Sequence, residues 1–91
     1  MEFRKGILFI RLKGDLNKDT IKGIIDKDFK YVVLNIDDMY SIDSYSIKYL
    51  NKIYRLYENN NNKFIICDKF NVSRKLLRDI PKINREYDAF E

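Results

Sequence analysis

The chain has 91 residues, of which 45% are hydrophobic and 35% charged, and its formal net charge is +4. This length and composition indicate one folded domain over residues 1–91 and exclude a disordered chain. No apolar run approaches the ~18 residues that span a bilayer, no cleavable leader is evident, and there is no histidine and one cysteine. We therefore expect a cytoplasmic protein without membrane insertion, disulfide, metal site, cofactor or enzymatic activity.

The first predicted element is a β-hairpin. Residues 2–4 and 7–12 have strand patterns, and Gly6 between them allows a tight reversal of the chain. Residues 7–12 are expected to form a central strand of the sheet. Residues 14–17, with the sequence GDLN, are expected to end that strand.

A short helix and a second central strand are predicted next. Asn17 or Asp19 can cap the helix, because short polar side chains accept hydrogen bonds from the free amides of a first helical turn. The apolar positions with helical spacing are Ile21, Ile24 and Ile25. The strand covers residues 31–36, and its continuous Val-Val-Leu centre indicates burial on both faces of the sheet.

A polar segment then leads to Asp43 and Ser44, where a helical pattern begins. Either residue can be the N-cap of that helix, and a cap without any further role is the plain interpretation. The predicted inward stripe comprises Ile47, Leu50, Ile53, Tyr54 and Tyr57, whereas Tyr45, Lys48, Lys52 and Arg55 fall on other faces. The helix is expected to end in the asparagine run 59–62.

The third core strand is predicted at residues 63–67. It ends in Cys67, which is expected to pack as a small hydrophobic side chain. Asn71 or Ser73 is then expected to cap a third helix that Pro81 stops. The apolar residues of that helix are Val72, Leu76, Leu77 and Ile80.

Strands that alternate with helices predict a mainly parallel sheet, which the N-terminal hairpin makes mixed. The tail, residues 83–90, is expected to add a short edge strand through Tyr87 and Phe90. Ligands and partners of parallel α/β sheets meet the carboxyl ends of the strands. The polar residues expected to gather at that edge are Asp37, Asp38, Asp43 and Ser44.

Four segments of the chain resemble the STAS family, the sulfate transporter and anti-sigma factor antagonist domains. They are, in order, LKGDLN at 12–17, VVLNI at 32–36, IDSYSI at 42–47 and FIIC at 64–67. The resemblance covers nearly the whole chain and is moderately specific as an ordered set. It implies an α/β domain with a mixed sheet of about four to five strands and three helices, the final helix of the family being absent.

The resemblance also implies a function. In the family, the serine that directly follows the aspartate is phosphorylated by a partner that is both an anti-sigma factor and a serine kinase; by position this is Ser44. The partner-binding residues expected here are Asp43, Ser44, Tyr45, Lys48 and Asn17. Three departures from the family pattern are evident: Asn17 and Asn35 replace aspartates, and Tyr45-Ser46 stands where the family has a small residue and glycine.

Three functional hypotheses follow. The first is an anti-sigma factor antagonist that phosphorylation of Ser44 switches. The second is a STAS scaffold subunit with an unmodified Ser44, in a lipid-transport ATPase or a stressosome-like assembly. The third is a small nucleic-acid binder using Lys48, Lys52, Arg55, Tyr45 and Tyr49. We expect no nucleic acid, because acidic and basic residues are mixed along the chain and no binding motif is present.

Overall fold

A five-stranded mixed sheet forms the centre of the computed structural model, which describes residues 1–21, 29–73 and 75–90. The strands, in both chain and spatial order, are β1 (Glu2–Arg4), β2 (Ile7–Leu16), β3 (Tyr31–Ile42), β4 (Lys63–Cys67) and β5 (Lys82–Ile83). β1 is antiparallel to β2, and every other neighbouring pair is parallel. The helices are α1 (Lys18–Ile21), α2 (Ser44–Asn59) and a 3-10 helix (Glu86–Phe90). The predicted α/β fold with a mixed sheet is confirmed.

The N-terminal hairpin forms where the sequence predicted it. Lys5 and Gly6 both have positive φ, 51° and 81° respectively. Positive φ at both central residues of a two-residue loop gives a turn whose twist matches that of the flanking strands. The turn therefore places Arg4 and Lys5 at one end of the sheet.

Two central strands are longer than predicted. β2 continues through Leu16 and β3 through Ile42, and the two extensions pair with each other across two register shifts. The Ser41 hydroxyl donates to the Asp15 carboxylate at 2.7 Å across this pair. The polar residues of the two extensions thus lie in paired strands rather than in loops. Apolar residues alternate with them, and one of these, Met39, packs against the hydrophobic core.

The front face of the sheet, defined here as the face that α2 covers, carries the larger core. Successive strand residues point to opposite faces, so every second residue of β2, β3 and β4 contributes to it. The buried front-face residues include Leu8, Ile10, Val32, Leu34, Ile36, Phe64 and Ile66 from the sheet and Leu50 and Tyr57 from α2. The predicted inward stripe of α2 is therefore confirmed.

The back face carries a smaller cluster beneath the 3-10 helix. Its buried members are Ile7, Phe9, Val33, Cys67 and Ala89. Cys67 is fully buried, as predicted, and burial raises the pKa of its thiol to about 11. Val33 lies between Val32 and Leu34 of the front core, so β3 is buried on both faces as its sequence indicated.

The third helix predicted after Asn71 is not found among the described residues of the 71–80 segment, which form turns and bends. The predicted caps, Asn71 and Ser73, were wrong. Asp68 accepts instead, from the amides of Val72 at 3.0 Å and Ser73 at 2.8 Å and from the Ser73 hydroxyl at 2.6 Å. Of the predicted apolar positions, Leu77 and Ile80 are buried, whereas Val72 and Leu76 are exposed.

The tail also differs from the prediction. Its strand is β5, which pairs with β4, and Tyr87 and Phe90 lie in the 3-10 helix rather than in an edge strand. The tail takes this position because of a contact between residues that are far apart in the chain. Glu86 accepts two hydrogen bonds from Arg11, at 2.8 and 2.7 Å, and one from Asn35 at 2.7 Å. The predicted helix positions Ile24 and Ile25 lie outside the described residues.

Candidate functional site

The start of α2 shows which residue caps the helix. Asp43 has extended backbone angles, and its carboxylate accepts from the Ser46 amide at 2.8 Å, so Asp43 is the N-cap. Its own amide donates to the Leu16 carbonyl at 3.0 Å, which joins the ends of β2 and β3. Ser44 is the first residue of the helix. The sequence allowed either Asp43 or Ser44 as the cap, and the structure identifies Asp43.

Capping by Asp43 leaves the Ser44 side chain available. Ser44 is exposed, and its hydroxyl makes no hydrogen bond within the part of the chain that the structure describes. Tyr45 next to it is 43% exposed, and Lys48 is exposed one helical turn further along. An exposed, unengaged serine hydroxyl is chemically able to accept a phosphoryl group.

Asn17 lies at the neighbouring strand end. Its side-chain oxygen accepts from the amides of Asp19 at 3.0 Å and Thr20 at 3.2 Å, so Asn17 caps α1. Leu16 pairs with Ile42 in the register of β2 and β3, which puts the caps of α1 and α2 side by side. The structure thus brings Asn17 into the same region as Asp43 and Ser44. An asparagine caps a helix about as well as an aspartate, so this geometry does not need an aspartate at position 17.

The electrostatics of this region favour an ionised Asp43. The pKa of Asp43 is lowered from its ordinary value, first by the Ser46 hydroxyl and next by the Ser46 amide. The amide of Lys18 also favours the charged form. A negative charge therefore stands beside Ser44 at neutral pH.

The outer face of α2 carries cations. Lys48, Lys52 and Arg55 are exposed, and none of them forms an ion pair with another described residue. Tyr49 is only partly exposed and packs against the front core. The residues proposed for nucleic-acid binding therefore do not all lie on one exposed surface, because Tyr49 is partly buried whereas the three cations are exposed.

Two of the departures from the family pattern have local explanations. Ser46 is fully buried, so its side chain faces the protein interior and does not lie on a surface that a partner could contact. Asn35 donates to Glu86 at 2.7 Å while its oxygen accepts from the Asp37 amide at 2.9 Å. An aspartate at position 35 lacks the amide donor and would repel Glu86. The neutral side chain is thus required by the attachment of the 3-10 helix.

Asp37 and Asp38 do not join the expected group. Both lie inside β3, and Asp38 precedes Ser44 by six residues, which corresponds to roughly 20 Å along an extended strand. Asp37 accepts from the Lys69 amide at 2.8 Å, on the β4 side. The expectation that they gather with Asp43 and Ser44 was wrong, because the strand continues where a loop was predicted.

A second surface was not foreseen from the sequence. Arg4 and Lys5 of the hairpin lie beside Tyr87 and Phe90 of the 3-10 helix and line a cleft with them. The only signal in the sequence was the turn at Gly6, which says nothing about a contact with the tail.

In the described ranges, no group of three or more cysteine, aspartate or glutamate side chains could hold a metal ion.

Comparisons with known proteins add no family assignment. No protein-family model matches the sequence, and no curated protein matches it significantly. Within the described residues, no helix has the length and apolar character needed to cross a membrane.

Proposed function

We propose that this chain is a STAS-like regulatory binding module of the anti-sigma factor antagonist kind. It acts in the cytoplasm, without catalysis or a cofactor of its own. It docks the start of α2 against an anti-sigma factor that is also a serine kinase, and Ser44 is the residue that the kinase modifies. The observation that carries the proposal is the division of roles at the helix start, where Asp43 caps and Ser44 is left exposed.

The charges around Ser44 support a switch. Phosphorylation adds about −1.5 to −2 charges beside Asp43, whose lowered pKa keeps it ionised. Lys48 lies four residues after Ser44 on the helix, so it can offset part of the new charge. The remaining repulsion, together with the desolvation of both anions in a tight interface, opposes docking. Phosphorylation therefore releases the partner.

Tyr45 supports a second candidate function. An exposed aromatic residue at a helix start is a plausible interface anchor, because aromatic side chains dominate the binding energy of many interfaces. In this alternative the chain is a STAS scaffold subunit, with Ser44 unmodified, in a lipid-transport ATPase or a stressosome-like assembly. Binding then depends on Tyr45 and not on the charge at position 44.

Three variants separate the two functions once the partner has been captured with the wild-type chain and identified by mass. The antagonist hypothesis expects Ser44→Asp to weaken partner binding by about tenfold, equivalent to about 1.4 kcal/mol, and Ser44→Ala to preserve it. The scaffold hypothesis expects Ser44→Asp to be nearly silent and Tyr45→Ala to abolish binding. Affinities are measured by calorimetry after folding is verified by circular dichroism.

Asn59→Asp is the matched control, because it adds the same charge at the opposite end of α2. If Ser44→Asp and Asn59→Asp lost equal affinity for the partner, the effect would come from net charge, which would contradict a switch at Ser44. Unchanged affinity in Ser44→Asp would eliminate the phosphorylation switch. Incubation of the captured kinase with wild type and Ser44→Ala, followed by mass spectrometry, tests modification directly.

A further inference from the structure

A cleft of about 480 Å³ opens where the N-terminal hairpin meets the 3-10 helix. Arg4, Lys5, Tyr87 and Phe90 line it, so two cations stand beside two aromatic rings. It lies away from α2 and Ser44, because the 3-10 helix covers the opposite face of the sheet. Its volume is in the range of small-molecule sites, about 300–1,000 Å³.

Aromatic rings hold both cations in place. The Arg4 guanidinium lies 5.1 Å from the ring centre of Phe9 and 5.4 Å from that of Phe90, and the Lys5 ammonium lies 5.4 Å from the Phe90 centre. Cations at such distances are attracted to a ring without being neutralised. Lys5 forms no ion pair with a described residue, whereas Arg4 Nε lies 2.8 Å from the Glu2 carboxylate.

The nearby carboxylates of Glu2 and Glu86 cancel only part of this positive charge, because Arg4, Arg11 and Lys5 outnumber them. Glu86 accepts from two Arg11 nitrogens, Nε and Nη2, and from the Asn35 amide. Arg11 also shares Glu2 with Arg4, at 3.0 Å. The cleft therefore keeps an excess of positive charge, with Lys5 as its least compensated cation.

Tyr87 supplies a free aromatic surface. It is 66% exposed and meets Phe90 edge-on, with ring centres 6.4 Å apart and an interplanar angle of 71°. The ring of Phe90 is already covered by the two cations, so Tyr87 is the ring on which a planar ligand can stack. Stacking on tyrosine together with anion binding by lysine and arginine is how proteins hold a nucleotide unit.

We propose that this cleft binds a nucleoside monophosphate, with the base on Tyr87 and the phosphate between Arg4 and Lys5. The site has two cations and one open ring, which matches one nucleotide. Grooves for single-stranded nucleic acid present successive rings along a basic track, and these four residues do not extend into one. The inference does not depend on the function proposed for Ser44.

The test is a titration of the full chain with adenosine and guanosine 5′-monophosphate, followed by amide chemical shifts in NMR spectra. Saturable shifts are expected at the hairpin turn and the 3-10 helix. Adenosine alone and inorganic phosphate alone are expected to bind at least tenfold more weakly, because each fills half of the site. The absence of saturable shifts with either monophosphate at millimolar concentration would overturn the proposal.

Two variants and two matched controls locate the site. Lys5→Asn keeps a residue that tolerates positive φ, and Tyr87→Ala alters an exposed side chain, so both variants should fold. Each is expected to weaken binding at least fivefold. Lys69→Asn removes another lysine that lies over an exposed phenylalanine, and Tyr40→Ala removes another exposed tyrosine; neither should change binding.

The control comparison also has outcomes that contradict the proposal. Equal losses in Lys5→Asn and Lys69→Asn would mean that the nucleotide binds to surface charge in general. A single-stranded oligonucleotide that binds more tightly per nucleotide than the monophosphate would identify nucleic acid as the occupant and overturn the assignment.

Discussion

The two faces of the sheet use charged residues in opposite ways. On the front face, α2 is held by apolar packing through Leu50 and Tyr57, and its outward cations remain unpaired within the described residues. On the back face, the 3-10 helix covers a smaller cluster and is attached through Glu86 to Arg11 and Asn35. Arg11 and Glu86 on the back face therefore attach one element to another, whereas Lys48, Lys52 and Arg55 on the front helix make no such attachment.

The largest expected effect concerns the front core. Leu50→Ala removes a fully buried side chain and leaves a cavity, so the free energy of unfolding should fall by about 2–5 kcal/mol. Phe90→Ala on the back face should cost about 1–2 kcal/mol, because Phe90 is only partly buried. Urea denaturation followed by circular dichroism measures both. A larger loss of unfolding free energy in Phe90→Ala than in Leu50→Ala would show that the back face contributes more to stability.

The next effect concerns the attachment of the 3-10 helix. Glu86→Ala removes the acceptor of two Arg11 bonds and leaves the Asn35 amide unpaired, which should cost about 1–2 kcal/mol. Because Cys67 lies buried beneath this helix, its reaction with a thiol reagent should also become faster. Glu58→Ala is the control, since the Glu58 carboxylate accepts from Tyr54 on the surface of α2 and not from the tail. Equal thiol reactivity in both variants would contradict this role of Glu86.

The same variant predicts a dependence on pH. The pKa of Glu86 is lowered from its ordinary value, chiefly by the hydrogen bonds from Arg11. A carboxylate with a lower pKa in the folded state stabilises the protein above its unfolded pKa, and this contribution is lost as pH falls. The stability difference between wild type and Glu86→Ala should therefore shrink over the acidic window that opens as pH falls below about 5. A difference that stays constant over this window would exclude an ionic contribution.

The smallest effect concerns the start of α2. Asp43→Ala removes the N-cap and should lower the free energy of unfolding slightly, whereas Ser44→Ala should leave it nearly unchanged because Ser44 is exposed and unbonded among the described residues. Thermal unfolding of the two variants measures the contrast. If Ser44→Ala lowered thermal stability as much as Asp43→Ala, the assignment of the cap to Asp43 would be wrong. The Ser44 hydroxyl would then not be available for modification.

The centres of the elements could be predicted from local patterns. The apolar runs of β2, β3 and β4 lie where the alternation of strand and helix patterns placed them, and the helical spacing of α2 identified its inward residues. The start of α2 was predicted within one residue. The choice between Asp43 and Ser44 as cap needed the backbone angles, because both side chains have the chemistry of a cap.

Two errors had local causes that the sequence patterns did not reveal. The extensions of β2 and β3 are rich in polar residues, which are typical of loops unless a partner strand satisfies their backbone. The third helix was predicted from apolar spacing after Asn71. Asp68, a buried carboxylate, accepts from the amides of Val72 and Ser73, and this segment forms turns.

The sequence by itself determined the α/β class, the hairpin and the helix start at Asp43 and Ser44, because each depends on residues close together in the chain. Only the tertiary structure decided how the tail lies, since Arg11 and Glu86 are 75 residues apart and no local pattern links them. The same holds for the cleft between Lys5 and Tyr87. Contacts of this kind depend on where the sheet places distant segments, so they appear only once the strands have been paired.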